Sequence, residues 1–461
     1  MEELKKLFQA TDMTVGEPWK QIVRFTAPML IGNIAQQLYN TVDSIVVGQY
    51  VGDDALAAVG SAGPILNLLL VLFIGISMGT SIMVSQYFGA KQREELSYTV
   101  GNSILLTAIA TGIVMLLSLF LVRPLLVALN TPANIIDWCH SYLMIMFLGF
   151  VGCAYYNILS GVLRGLGDAF SALVYLLVST VLNIVLDLLF VIKLGMGVSG
   201  VAWATIIAQA VSAILCFIHM TKLTDIFDMK LCYMKFNKKF SGKIIRLGLP
   251  SGLTQAIFSM AMIIVQSLTN SFGNMFISAN VIVMRVDGFA MLPNFSFGTA
   301  MTTYAGQNVG ARKYDRVIKG AKQGTLVAVI TTTVLTSLIL IFGRPLMGIF
   351  TKTTELVDLS RNMMSIIALG YVAMAVTQSL SGVMRGAGDT MTPMWISLFT
   401  TVAVRVPVAY GIAYLTRSAA LPHGRQECIF ISLLCSWLIG ALITTIFYAK
   451  GRWRKKAQAF L

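Results

Sequence analysis

Twelve stretches of this chain are each long enough to cross a bilayer as a helix, and that count limits the fold more than any other feature. A hydrocarbon core about 30 Å thick needs roughly 20 mostly apolar residues per helix. Such runs fall near 20–47, 55–84, 96–121, 134–158, 168–192, 197–220, 244–271, 276–304, 316–342, 359–383, 391–416 and 427–449. In lipid every backbone polar group must be satisfied internally, so these runs read as helices. Only 12% of the residues are charged and 56% are hydrophobic, where a soluble chain carries about 25% charge. The chain is therefore expected to be an all-α polytopic membrane protein. Its first 18 residues are polar and of mixed charge, without the pattern of a cleavable signal peptide. Six cysteines without a CxxC and three histidines without ligand spacing argue against a disulfide scaffold or a zinc site.

The net charge of +14 follows topology and not nucleic acid. Placing both termini in the cytoplasm puts 25 of the 34 Lys and Arg residues on that side, including Lys5, Lys6, Lys20, Arg24 and the tail "KGRWRKK". Seven lie outside, and two, Arg285 and Arg405, lie within spans. That asymmetry is the positive-inside signal. The longest polar break, residues 222–242, reads as a cytoplasmic linker between an N-terminal bundle, 1–221, and a C-terminal bundle, 243–461.

The two halves repeat one another. "SGVLRGLGD" (Ser160–Asp168) returns as "SGVMRGAGD" (Ser381–Asp389), with seven of nine residues identical at an offset of 221. The same offset links Gln86 to Gln307, Gly89 to Gly310, Ala90 to Ala311 and Arg123–Pro124 to Arg344–Pro345. With a one-residue slip, Arg24 and Pro28 match Arg246 and Pro250. Six spans per half is an even number, so both halves enter the membrane in the same direction. The expected arrangement is two six-helix bundles related by a pseudo-two-fold axis along the membrane normal. The nine-residue motif itself reads as structural: glycines for a tight turn, with Asp168 and Asp389 capping the next helix.

Ionisable groups inside spans are costly and mark either function or a paired structural group. There are five: Asp43, Asp187, Asp287, Arg285 and Arg405. Asp43 in "LYNTVDSIVVG" and Asp187 in "TVLNIVLDLLF" each lie roughly 10 Å below the outer surface, at 1.5 Å per residue. Asn183 is one turn from Asp187 on the same helix face, and Thr205 sits at a similar depth. Two carboxylates brought together cannot both ionise cheaply, which favours holding a proton. The carboxylate, amide and hydroxyl oxygens also suit Na⁺. The alternative is plain hydrogen bonding within the bundle. In the second half Asp287 and Arg405 are expected to pair, which leaves Arg285 to seek carbonyls or an anionic ligand.

Together these features resemble the multidrug and toxic compound extrusion (MATE) family over the whole chain. The resemblance is carried by "NTVDSIVVGQYVGDDALAAVG", by "SQYFGAKQREEL" with its counterpart "GQNVGARKYDRV", and by the twin "RGxGD" turns. It implies export of lipophilic or cationic drugs in exchange for H⁺ or Na⁺, by rocker-switch alternating access in the plasma membrane. It further implies that Asp43, Asn183, Asp187 and Thr205 hold the coupling ion, and that Pro28 is a hinge in helix 1. Some branches carry further acids on helices 7 and 10; here helix 7 offers Gln255 and helix 10 has none, which puts coupling through the second bundle in doubt. A lipid-linked precursor flippase of the same superfamily is the alternative function. It would need a basic central cavity, and Arg285 and Arg405 are the only cations within spans. Neither a cofactor nor a nucleophile or metal cluster for membrane enzymology is expected, and the transporter is expected to act as a monomer.

Overall fold

The computed structural model describes residues 9–128, 131–419 and 421–458; Lys5 and Lys6 lie outside them. The described residues are almost entirely helical. In chain order the helices are α1 (Pro18–Tyr50), α2 (Asp53–Gly89), α3 (Arg93–Ala128), α4 (Ile136–Leu148), α5 (Phe150–Gly165) and α6 (Ala169–Asp187). A π-helical turn, Leu188–Lys193, extends α6 before α7 (Gly197–Thr221). Then come α8 (Lys238–Ser271), α9 (Asn274–Gly310), α10 (Tyr314–Ile341), the short α11 (Gly343–Gly348) and α12 (Thr354–Gly386). The next helix, α13 (Met391–Leu398), runs through a second π turn, Phe399–Val404, into α14 (Arg405–Leu415). It is followed by α15 (Cys428–Ala449) and α16 (Arg452–Gln458).

Ten of these stretches are long and apolar enough to cross a membrane, and the pair α4–α5, bent by 50°, makes an eleventh. The twelfth is α1. It has the length, at 33 residues, but Asn33, Gln36, Gln37, Asn40 and Asp43 make it too polar to pass on hydropathy. The expected apolar run over 20–47 is therefore correct in extent and wrong in character.

The chain divides into two compact units, Met1–Asp12 with Ala27–Gly252, and Met13–Thr26 with Leu253–Leu461. Two of the three boundaries, 26/27 and 252/253, fall inside long helices, α1 and α8, where no composition change marks them. The segment 222–242, which connects the two halves, belongs to the first unit. Tyr98 on α3 holds it between the rings of Tyr233 (4.9 Å) and Phe240 (5.2 Å). Asn102 Oδ1 accepts from Asn237 N and Ser241 Oγ, and Ser97 Oγ accepts from Asp228 N. Arg93 donates to Asp228 at 3.0 Å, and that hydrogen bond holds the Asp228 carboxyl below the usual carboxylate range. The start of α8 packs on α2, where Cβ atoms on Gly79 and Gly248 would run into the facing backbone. In the second unit, Met13 N donates to Gln307 Oε1 at 2.8 Å. The Met13 and Gly16 carbonyls accept from Arg316.

The repeat has a packing basis beyond the turn inferred from its glycines. Gly161 and Gly165 lay α5 against Ser77 and Ser81 of α2. Gly382 and Gly386 lay α12 against Gly298 and Thr302 of α9. A Cβ on Gly382 would overlap the Gly298 carbonyl, and one on Gly386 the Thr302 carbonyl. Small residues four apart let helix backbones approach closely where water supplies no driving force. Only Gly167 and Gly388, at φ +83° and +89°, serve the turn. Asp168 accepts from Ser171 N at 2.9 Å and Asp389 from Thr392 N at 3.3 Å, the caps expected. Among the described residues, the two non-glycines with positive φ, Lys91 (56°) and Arg312 (57°), occupy equivalent places after α2 and α9. The halves thus repeat in backbone conformation as well as in sequence.

A Gly382→Ala substitution should destabilise the protein by about 1–3 kcal/mol through overpacking. Gly411→Ala, where no atom lies within 4 Å of the added carbon, should not. Thermal unfolding of the detergent-purified variants checks the contrast.

Candidate functional site

Four of the sequence-predicted residues meet inside the first unit. Asp43 comes from α1, Asn183 and Asp187 from one face of α6, and Thr205 from α7. The side chains of Asn183 and Asp187 are fully buried. Asn183 faces two carboxylates, so the amide atom directed at them is its nitrogen. It then donates to Asp43 Oδ1 at 2.9 Å and to Asp187 Oδ2 at 3.3 Å. The two carboxyl groups themselves lie within hydrogen-bonding reach of each other. Since a carboxylate only accepts, that contact is favourable when one proton is shared between them. Asp187 Oδ1 and Thr205 Oγ1 are buried and make no hydrogen bond within the described residues. The π-helical turn beginning at Leu188 follows directly on Asp187, and such turns in helices are frequent at functional sites.

Two tyrosines complete the cluster. The Tyr39 hydroxyl stands beside Thr205 and near Asp43, and Tyr142 of α4 lies close to both acids. Both are buried, at 8% and 7% exposure. Tyr39 could have been read from the sequence, being four residues before Asp43 and so on its helix face. Nothing around Tyr142 in "DWCHSYLMIMF" distinguishes it from a core aromatic. Pro28 lies inside α1, which continues through it. Because proline has no N–H, the Arg24 carbonyl loses its helical donor there.

The second unit arranges its charges differently. Asp287 accepts from the Tyr371 hydroxyl at 3.0 Å. The expected Asp287–Arg405 pair is not an ion pair: Arg405 is near enough to act on Asp287 electrostatically, but the two are absent from the bridges within 4.0 Å, and Arg405 Nε has no hydrogen-bond partner. Tyr371, 84 residues from Asp287 in sequence, takes the place expected of the arginine. Arg285 and Gln255 are exposed on this unit and join no polar cluster. No group of three or more His, Cys, Asp or Glu residues able to hold a metal occurs among the described residues.

A doubled six-helix architecture with an acidic pair inside one half is that of a polytopic membrane transporter. The MatE family profile matches residues 28–189 and, a second time, 250–411, so the chain belongs to the MatE family, a family of transporters and not of enzymes. The chain is 30% identical over 450 residues to the probable multidrug resistance protein YpnP of Bacillus subtilis (strain 168), covering 97% of this chain and 98% of that one. It is 29% identical over 447 residues to the probable multidrug resistance protein YoeA of the same organism, 95% of each being covered. The crystal structure of MATE in complex with MaL6 is similar in fold, with a TM-score of 0.90 over 97% of this chain and 99% of that one, at 23% identity.

Asn183→Leu keeps the shape of the side chain and removes the bridge between the acids. It should destabilise the protein by about 1–3 kcal/mol, the cost of leaving buried polar groups unpaired. Asn67→Leu, at an exposed position, should be near neutral. Unfolding midpoints of the two variants check this.

Proposed function

We propose that this protein is a cation-coupled multidrug efflux transporter of the plasma membrane, and that Asp43 and Asp187 exchange the coupling ion. The observation carrying this reading is the direct approach of a buried carboxyl group, Asp187, and a half-buried one, Asp43, bridged by Asn183. An acid pair of this kind holds one positive charge at low cost and gives it up at a high one. Proton binding closes the carboxyl–carboxyl contact; proton release leaves two like charges in a buried site and drives the helices carrying them apart. Ion and drug would favour different conformations, so that each weakens the binding of the other.

Proton coupling is the first reading. Sodium is favoured by a separate observation: Asp187 Oδ1 and Thr205 Oγ1, two buried oxygens without partners, together with the carboxylates form an oxygen set for a hard cation. Pro28, 15 residues before Asp43, supplies the hinge by which α1 would answer the ion, since the bond missing at the Arg24 carbonyl lowers the cost of a bend. The names of the B. subtilis relatives support drugs as cargo; we propose lipophilic or cationic ones. They do not favour the flippase alternative, nor does a site built from acids. The basic asymmetry of the sequence supports cytoplasmic termini, and one chain with two halves supports a functional monomer.

Purified protein in liposomes, given a pH gradient or a Na⁺ gradient separately, should accumulate ethidium under one of the two. Asp43→Asn should reduce that uptake to the level of empty liposomes. Uptake unchanged in the variant would remove Asp43 from the mechanism, and uptake under neither gradient would overturn antiport.

A further inference from the structure

Arg385 closes the second copy of the repeated motif, and its surroundings differ from those of its counterpart. In the first unit Arg164 donates to the hydroxyl of Ser77 at 3.5 Å. The residue equivalent to Ser77 in the second unit is Gly298, which has no hydroxyl to offer. Arg385 makes no ion pair or hydrogen bond among the described residues, and its Nε is buried. No charged neighbour acts on it. Arg405, the buried arginine of this unit, at least has the Asp287 carboxylate nearby.

Arg385 instead faces a partly open cavity of about 40 Å³ within the second unit. The lining contains no acid. It includes Gln378, Ser381, Ser397 and Thr401, which donate no hydrogen bond within the described residues. Thr400 and Thr401 belong to the π turn Phe399–Val404, which contributes to this wall. A guanidinium cannot shed its proton. This one is partly buried, with no acid among the lining residues, so the site attracts a negative partner. The cavity admits one or two water-sized occupants, which excludes a lipid headgroup or a drug carboxylate.

We propose that this cavity is a binding site for a small monovalent anion of halide size, held by the Arg385 guanidinium and the hydroxyl and amide donors around it. The bound anion ties α12 to α13, the π turn and α15, all of which contribute to the wall. It supplies in the second unit what the Ser77 hydroxyl supplies in the first. The site is distinct from the Asp43–Asp187 pair and does not depend on the transport reading.

The test uses the full-length protein in lipid nanodiscs with gluconate as the background anion. Bromide is titrated while the thermal unfolding midpoint is followed, with the ³⁵Cl NMR line width in chloride as a direct measure of binding. The wild type should show a saturable rise in midpoint and chloride line broadening that bromide reverses. Arg385→Gln should weaken half-saturation at least about tenfold, as expected for loss of a charge-assisted hydrogen bond. Gly298→Ser, which puts the hydroxyl of the first unit beside the guanidinium, should also weaken it. Ser397→Ala should do the same if Arg385→Gln does not fold. No halide response in the wild type would mean that water alone fills the cavity. An equal response in the wild type and the variants would place the anion elsewhere; either result overturns the proposal.

Discussion

Close backbone contact between helices is the interaction on which the rest of this structure depends. In lipid, apolar side chains gain little by leaving one hydrocarbon environment for another, so helices associate through packing and polar contacts. Gly161 and Gly165 bring α5 onto α2, and Gly382 and Gly386 bring α12 onto α9. With those pairs in contact, the aromatic cores close around them: Phe73 and Phe150 meet at 5.0 Å in the first unit, Tyr371 and Trp437 at 5.7 Å in the second. The same economy of space appears at Gly149. There α4 and α5 bend by 50°, and an added Cβ would overlap the Ile206 side chain of α7.

On this frame the two halves have taken different chemistry. The first gathers two acids, an amide, a hydroxyl and two tyrosines in one buried layer. The second spreads its charges: Asp287 is satisfied by a tyrosine, while Arg385 and Arg405 are left with buried Nε atoms that no described residue satisfies. The carboxylates ending the repeated motif have diverged as well. Asp168 is met by His219 at 3.1 Å and Asp389 by Lys456 at 2.7 Å. Duplication preserved the helix contacts and left the polar partners free to change.

Much of this was legible in the sequence because it is periodic. Span lengths, the internal offset and the depth of Asp43, Asn183, Asp187 and Thr205 follow from counting residues along helices. What the sequence hides is lateral. No spacing along the chain shows that Tyr371 would reach Asp287 before Arg405 does, or that Tyr142 would join the acid layer. The glycines of the repeat were mostly assigned to a turn because their role depends on a facing helix 84 residues away, as with Ser77 and Gly161. The packing of 222–242 is hidden for a related reason. A polar segment between spans looks like a free connector, yet Asn237, Asp228 and Tyr233 all find partners on α3.

The hydrogen bond from Met13 to Gln307 spans 294 positions and sets a condition on how the protein is made. At roughly 5–20 residues per second, about 15–60 s of synthesis separate one partner from the other. Throughout that interval the segment 13–26 must wait beside a ribosome with its eventual neighbours still unwritten. The second unit therefore cannot mature by simple vectorial addition: its first residues, 13–26, are made before nearly all of the first unit, and its closure reaches back to collect them.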